Sequence, residues 1–192
     1  MKNALPLRRL GQSDLMVSAI GLGCWQFSRG KGIGGRYWPS LQESEIIDII
    51  RVSLEGGINW FDTAESYGWG ESERSLSRAL KALGKSSEEV IIATKWMPFF
   101  RRAKSIIQTI DRRINNLNNF RIDLYQIHQP WSFSSARAEM KAMAQLVKYR
   151  KIRYIGVSNF SAKRMKIAHD ELASLGLSLI SNQVRYSLLD RR

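Results

Sequence analysis

The sequence predicts an α/β fold on a parallel sheet, on three observations. Short apolar runs rich in β-branched residues recur along the chain, stretches of helical periodicity separate them, and the repeat is roughly 25–35 residues. The runs fall at residues 17–23, 58–63, 90–94, 122–127, 154–158 and 179–184. Each is apolar on both faces, the pattern of a strand buried between two layers.

The intervening stretches follow in order. Residues 43–54 place Ile46, Ile47, Ile50 and Leu54 at helical spacing, and 71–83 do the same with Leu76, Leu80 and Leu83. Residues 103–117, 134–149 and 161–175 complete the set. Gly56-Gly57, Gly84 and Gly176 stand where helix stops are expected, and Ser72 and Ser161 where caps are. Periodicity alone leaves an open doubly wound sheet or a closed barrel. No Gly-x-Gly-x-x-Gly turn follows an early strand, which weighs against a dinucleotide-binding sheet of the first kind. Gly32-Ile-Gly34-Gly35 lacks that context and reads as a mobile loop. With 192 residues, 44% hydrophobic composition and no linker-like segment, one domain over 1–192 is expected.

Composition narrows the function classes. One cysteine, Cys24, forms no intramolecular disulfide, and no metal-type Cys/His spacing occurs, which fits a reducing cytoplasm and no metal. The apolar stretch 15–27 follows a charged lead and is cut by Gly21 and Gly23, so neither a secretory leader nor a membrane span is expected. The net charge of +13 suits an anionic partner, either nucleic acid or a phosphate-bearing cofactor. The basic residues lie in scattered clusters: Arg8 and Arg9; Arg101, Arg102 and Lys104; Lys148 to Arg153; Lys163, Arg164 and Lys166; Arg191 and Arg192. No nucleic-acid motif accompanies them, so they read as solvated helix faces and nucleic acid is not an expected partner.

Polar residues close the apolar strands. Asp62 lies at the carboxyl end of the second run, Tyr67 five residues on, Lys95 directly after the third run and His128 directly after the fourth. Asp62 to Lys95 and Lys95 to His128 are both 33 residues (95 − 62 and 128 − 95), one βα unit each. In a parallel barrel the carboxyl ends of the strands form the reactive face, so these groups converge there. Together they suit proton transfer. A Tyr phenol donates at neutral pH when an ammonium stabilises its phenolate, a carboxylate holds that ammonium, and a His hydrogen-bonds the substrate oxygen. Trp25, Trp96 and Trp131 follow strand ends. Trp25 and Trp96 are expected to wall an apolar substrate pocket.

The run from Gly57 to Glu73, Gly-Ile-Asn-Trp-Phe-Asp-Thr-Ala-Glu-Ser-Tyr-Gly-Trp-Gly-Glu-Ser-Glu, closely resembles the aldo-keto reductase signature. Ile92-Ala-Thr-Lys95, Ile122-Asp-Leu-Tyr-Gln-Ile-His128 and Lys151-Ile-Arg-Tyr-Ile-Gly-Val-Ser-Asn-Phe160 resemble three further blocks of that family, in order. The resemblance implies a (β/α)8 TIM barrel and reduction of aldehydes or ketones by hydride from NADPH. It makes Asp62, Tyr67, Lys95 and His128 the catalytic tetrad, with Tyr67 as general acid, Lys95 lowering its pKa, Asp62 holding Lys95 and His128 polarising the carbonyl. It further implies that Ser158, Asn159 and Gln183 hold the nicotinamide carboxamide, and that Gly23, Cys24, Trp25 and Asp62 lie along the cofactor. Because its implied work is on the Tyr67 phenolate, Lys95→Met is expected to impair catalysis more than folding.

The family continues past Asn182-Gln-Val-Arg-Tyr186 with two more strands and their helices, so an incomplete barrel of about six of the eight βα units is expected here. Such a sheet leaves 17–23 and 179–184 as open edges, prone to self-association, and removes one wall of the cofactor site. Arg150 stands where the family often has Gly. Two alternatives share the fold: a regulatory or cofactor-sensing protein without turnover, and an inactive piece of a reductase.

Overall fold

The structure, a computed structural model, describes residues 6–191, save the side chains of residues 33 and 34. Arg192, in the last basic cluster, lies outside them. Six parallel strands form a curled half-barrel in chain order: β3 (Leu22–Gly23), β4 (Trp60–Asp62), β5 (Ile91–Trp96), β6 (Leu124–Ile127), β7 (Tyr154–Ser158) and β8 (Leu179–Gln183). Helices α2 (Glu43–Glu55), α3 (Glu71–Ala82), α4 (Lys104–Asn116), α5 (Ala136–Lys148) and α6 (Ala162–Ser174) connect successive strands. Among the described residues β3 and β8 are the two edges of the sheet, as the resemblance implied. No helix among them is long and apolar enough to cross a membrane.

The first predicted strand is corrected. Residues 17–23 do not run straight: β1 (Leu7–Arg9) and β2 (Met16–Ser18) pair as an antiparallel hairpin, and the chain bends before β3. The bend is fixed by a close approach at Gly21, where a Cβ would stand 2.3 Å from the Trp60 ring. Asn59 Oδ1 accepts the Ser18 N–H at 2.8 Å and ties the end of the hairpin to the sheet. Gly32–Gly35, expected as a loop, forms a single helical turn, α1. Ser161 caps α6 and accepts from Arg164 N, as expected. Ser72 does not cap: it lies inside α3, and its hydroxyl donates to the Cys24 carbonyl.

Side chains alternate across a strand, and register decides which share a layer. Lys95 pairs Gln126, Gln126 pairs Gly156, and Gly156 pairs Ser181, which places all four in one layer across the interior. Toward the amino ends of the strands, Ala93 and Leu124 pack with Leu15 and Val17 of the hairpin and with Ile180. The hairpin thus plugs that end. The opposite side of the sheet, with Ile92, Trp96, Tyr125, Ile127, Ile155 and Val157, packs on Ile106, Ile110, Met140, Met143 and Leu146 of the helices. The ladder slips between β7 and β8, where Ile155 pairs Leu179 but Gly156 pairs Ser181. This bulge leaves Ile180 and Ser181 both facing inward, as two successive residues of a bulged strand do.

Candidate active site

Four strand ends meet at one rim. Asp62 closes β4, Lys95 is next to last in β5, His128 follows β6 directly, and Gln183 closes β8. Lys95 is 1% exposed, and its Nζ donates to Asp62 Oδ2 at 2.6 Å and to the Thr63 carbonyl at 3.0 Å. Asp62 also accepts from Gln183 Nε2 at 3.0 Å and from Gln126 Nε2 at 3.4 Å. A buried ion pair is tolerable only when further hydrogen bonds satisfy both partners, and the two glutamines supply them here.

Tyr67 sits in the turn between β4 and α3. Glu65 N donates to the Lys95 carbonyl and Tyr67 N to the Ala64 carbonyl, both at 3.1 Å, so the turn is pinned to the end of β5. Lys95 Nζ lies 5.2 Å from the Tyr67 ring centroid. His128 stands edge-on to the same ring at 5.6 Å, and Trp25 stacks on it at 5.9 Å. Tyr37 stacks on Trp25 at 5.9 Å, so Trp25 is sandwiched between two tyrosines.

Burial pushes the Tyr67 phenol above its ordinary pKa, and the Lys95 charge pulls it down by less. Lys95 acts in the expected direction, and desolvation outweighs it. Burial, aided by the Lys95 charge, holds His128 down at about 3 and keeps the imidazole neutral near pH 7.

Trp25, Tyr67, Trp69, Met97, Phe99, His128 and Trp131 line a cleft of about 600 Å³, with Glu65, Ser66 and Arg101 at its polar edge. A neighbouring cleft of about 740 Å³ shares Trp69 and carries Lys31, Arg36 and Arg74. Its larger size does not make it the site of chemistry, because Glu71 already binds Lys31 and Arg74. Burial raises the Glu71 pKa, but Lys31, Arg74 and Arg78 together bring it to about 2.

Trp96 is corrected: it is fully buried on the helix side of the sheet, where its Nε1 donates to Ser105 Oγ at 3.1 Å. Alternation is the reason, since Lys95 takes the inward position and its neighbour must face out. Trp25 and Trp131 do line the cleft. Cys24 turns its side chain into the core, burial pushes its thiol far up, and its backbone bonds Asp62, Phe27 and Ser72.

The remaining cofactor candidates gather at the same rim. Ser158 Oγ donates to the Gln183 carbonyl at 2.9 Å, and Asn159, at φ 59°, donates from Nδ2 to Ser158 Oγ at 3.0 Å. Gly23 faces open space: a Cβ there would meet nothing within 4 Å. The exposed Asn159 amide offers both a donor and an acceptor, which is what a planar carboxamide needs.

Gln126, Ser66 and a buried ionic network escaped the reading of the sequence. In the network Arg113 bridges Glu65 at 3.2 Å and Glu73 at 3.1 Å, while Arg101 also grips Glu65. Arg101 and Arg164, the latter on the buried Glu139, are thus bound in ion pairs rather than solvated. A signal existed for Arg113, which shares the helical stripe of Ile106 and Ile110, and for Gln126, two residues before His128.

Residues 19–192 match the model of the "Aldo/keto reductase family". The chain is 37% identical over 164 residues to "Aldo-keto reductase YhdN" of Bacillus subtilis, covering 81% of this chain and 47% of that protein. It is 40% identical to "Uncharacterized oxidoreductase Mb2320" of Mycobacterium bovis, covering 90% and 50%. Among solved structures it is similar to a thermostable aldo-keto reductase, Tm1743, crystallised with the inhibitor epalrestat, at a TM-score of 0.81 and 28% identity, covering 97% of this chain and 64% of that one. The chain spans about half the length of these curated relatives.

Proposed function

The chain belongs to the aldo/keto reductase family, and from that premise we propose that it serves as an NADPH-dependent oxidoreductase that reduces aldehydes or ketones to alcohols, with Tyr67 as general acid. The observation that carries this reading is the buried Lys95–Asp62 pair beside the Tyr67 ring in an apolar cleft. When bound, the nicotinamide cofactor supplies the hydride. Its carboxamide is assigned to Ser158, Asn159 and Gln183. The raised pKa of Tyr67 keeps its proton in place near pH 7, and the Lys95 ammonium stabilises the phenolate once that proton has passed to the carbonyl oxygen. His128, being neutral, offers a hydrogen bond to the same oxygen without competing for the proton. The apolar walls, Trp25 and Trp131 among them, keep water from the reacting atoms. With a single, buried cysteine, the protein is assigned to the reducing cytoplasm.

The test is NADPH consumption with a panel of aldehydes. Tyr67→Phe is expected to lower turnover by at least about a hundredfold while nucleotide binding is kept. Near-normal turnover by the Phe protein would mean that another group donates the proton. Binding of NADPH with no turnover of any aldehyde would favour a cofactor-sensing role.

A further inference from the structure

Ser66 Oγ lies 3.2 Å from His128 Nδ1, and nothing in the reading of the sequence assigned Ser66 a role. Resting on the reading of His128 as the group that meets the carbonyl oxygen, we infer that Ser66 is a positioning residue: its hydroxyl donates to Nδ1, which fixes the imidazole proton on Nε2 and aims it as a donor into the cleft.

The two side chains are held from the backbone. The flanking amides of Glu65 and Tyr67 bond to the Lys95 and Ala64 carbonyls, and His128 N donates to the Trp96 carbonyl at 3.0 Å. The Glu65 side chain, next to Ser66, is gripped by Arg101 and Arg113. The turn that carries Ser66 is thus set by strand β5 and helix α4. It does not depend on the His–Ser contact.

The direction of the bond follows from what each atom can do. A neutral imidazole has one N–H, on one nitrogen only. Were it on Nδ1, the serine would accept, its own proton would have no other partner among the described residues, and Nε2, on a ring that lines the cleft, would carry only a lone pair. A carbonyl oxygen only accepts, so that tautomer has nothing to give it. With the proton on Nε2, the serine proton is used on Nδ1 and the ring presents a donor to the substrate. Fixing a tautomer through a bond to the far nitrogen is a general means of orienting a histidine.

The protein has two histidines, and His169 is exposed, so the tautomer can be read directly by ¹⁵N–¹H long-range correlation in labelled protein near pH 7. His128→Gln assigns the signals. The expected result is an Nε2–H signature for His128, loss of that single state to a mixture in Ser66→Ala, and its recovery in Ser66→Thr. His169 serves as an internal control that stays unchanged throughout. An Nδ1–H signature in the wild type, or the same single tautomer in wild type and Ser66→Ala, would overturn the inference. The spectrum needs neither cofactor nor turnover. A protein that reduces nothing would therefore sink the functional reading and leave this one standing, and the reverse holds for an active enzyme whose tautomer ignores Ser66.

Discussion

Leu124 and Gln126 are two residues apart on β6 and face the same interior, yet they live in opposite chemistries. Leu124 is sealed among Leu15, Val17, Ala93 and Ile180, while Gln126 donates to Asp62 in a layer that also holds Lys95. The first layer is closed by the hairpin and built from apolar side chains; the second opens on the rim and holds a buried ion pair. The same backbone therefore supports an apolar layer and a polar layer at the candidate site, and a step of two residues along a strand separates them. Stability of the rim layer depends on its polar partners being complete, whereas the lower layer needs only volume.

The sharpest way to break this contrast is to remove one polar partner. Lys95→Met leaves Asp62 buried without its cation and is expected to cost about 3–5 kcal/mol of stability. That replaces the expectation, from its role alone, that Lys95 bears on catalysis more than on folding. Adding Asp62→Asn should recover much of the loss, since the stranded charge is gone; chemical denaturation of the three proteins measures both. If Lys95→Met unfolds at the wild-type denaturant midpoint, the rim pair is not coupled to the fold.

In the lower layer the expected effect is of cavity type. Leu124→Ala should cost about 2–5 kcal/mol and leave the histidine tautomer spectrum unmoved, because only apolar neighbours lose contact. A change in the His128 signal would show that the two layers are not independent.

Acid gives a gentler probe of the rim. The unfolded imidazole takes a proton near pH 6.5, whereas folded His128 refuses it until about 3, so stability falls as pH drops through that window. The slope from this one group is at most about 1.4 kcal/mol per pH unit. Glu71, whose folded pKa is lowered from 4.5 to about 2, adds its own loss only below 4.5. Between pH 6.5 and 4.5 the stability of His128→Gln should therefore fall less steeply than that of the wild type. Parallel curves would mean that His128 is not held neutral by the fold.

Strands and helices whose faces are uniformly apolar were readable from composition and period. The five long helices and strands β4 to β8 lie within a few residues of their expected places. The amino-terminal hairpin was not, because its strands have three residues each and β1 is exposed along its length, which gives no alternation to detect. Of the site, Asp62, Lys95 and His128 were visible as polar endings on apolar strands. Which way a side chain faces at a strand end depends on register, and so Trp96 was assigned to the wrong side. Ser66 was illegible for another reason: its partner is 62 residues away, and a lone serine in a turn has many ordinary uses.

The slip between β7 and β8 acts as a one-residue spacer in the address of Gln183. Counted without it, Ser158 would stand opposite Asn182, whose side chain instead bonds the Phe160 backbone on the far side of the sheet. The extra residue advances the strand by half its side-chain period, so the amide that reaches Asp62 belongs to Gln183. Deleting one residue at 179–180 would thus shorten the strand slightly and exchange the faces of everything after it, aiming Asn182 inward with a side chain one methylene too short for the carboxylate. The length of β8 is in this sense part of the electrostatics of Asp62.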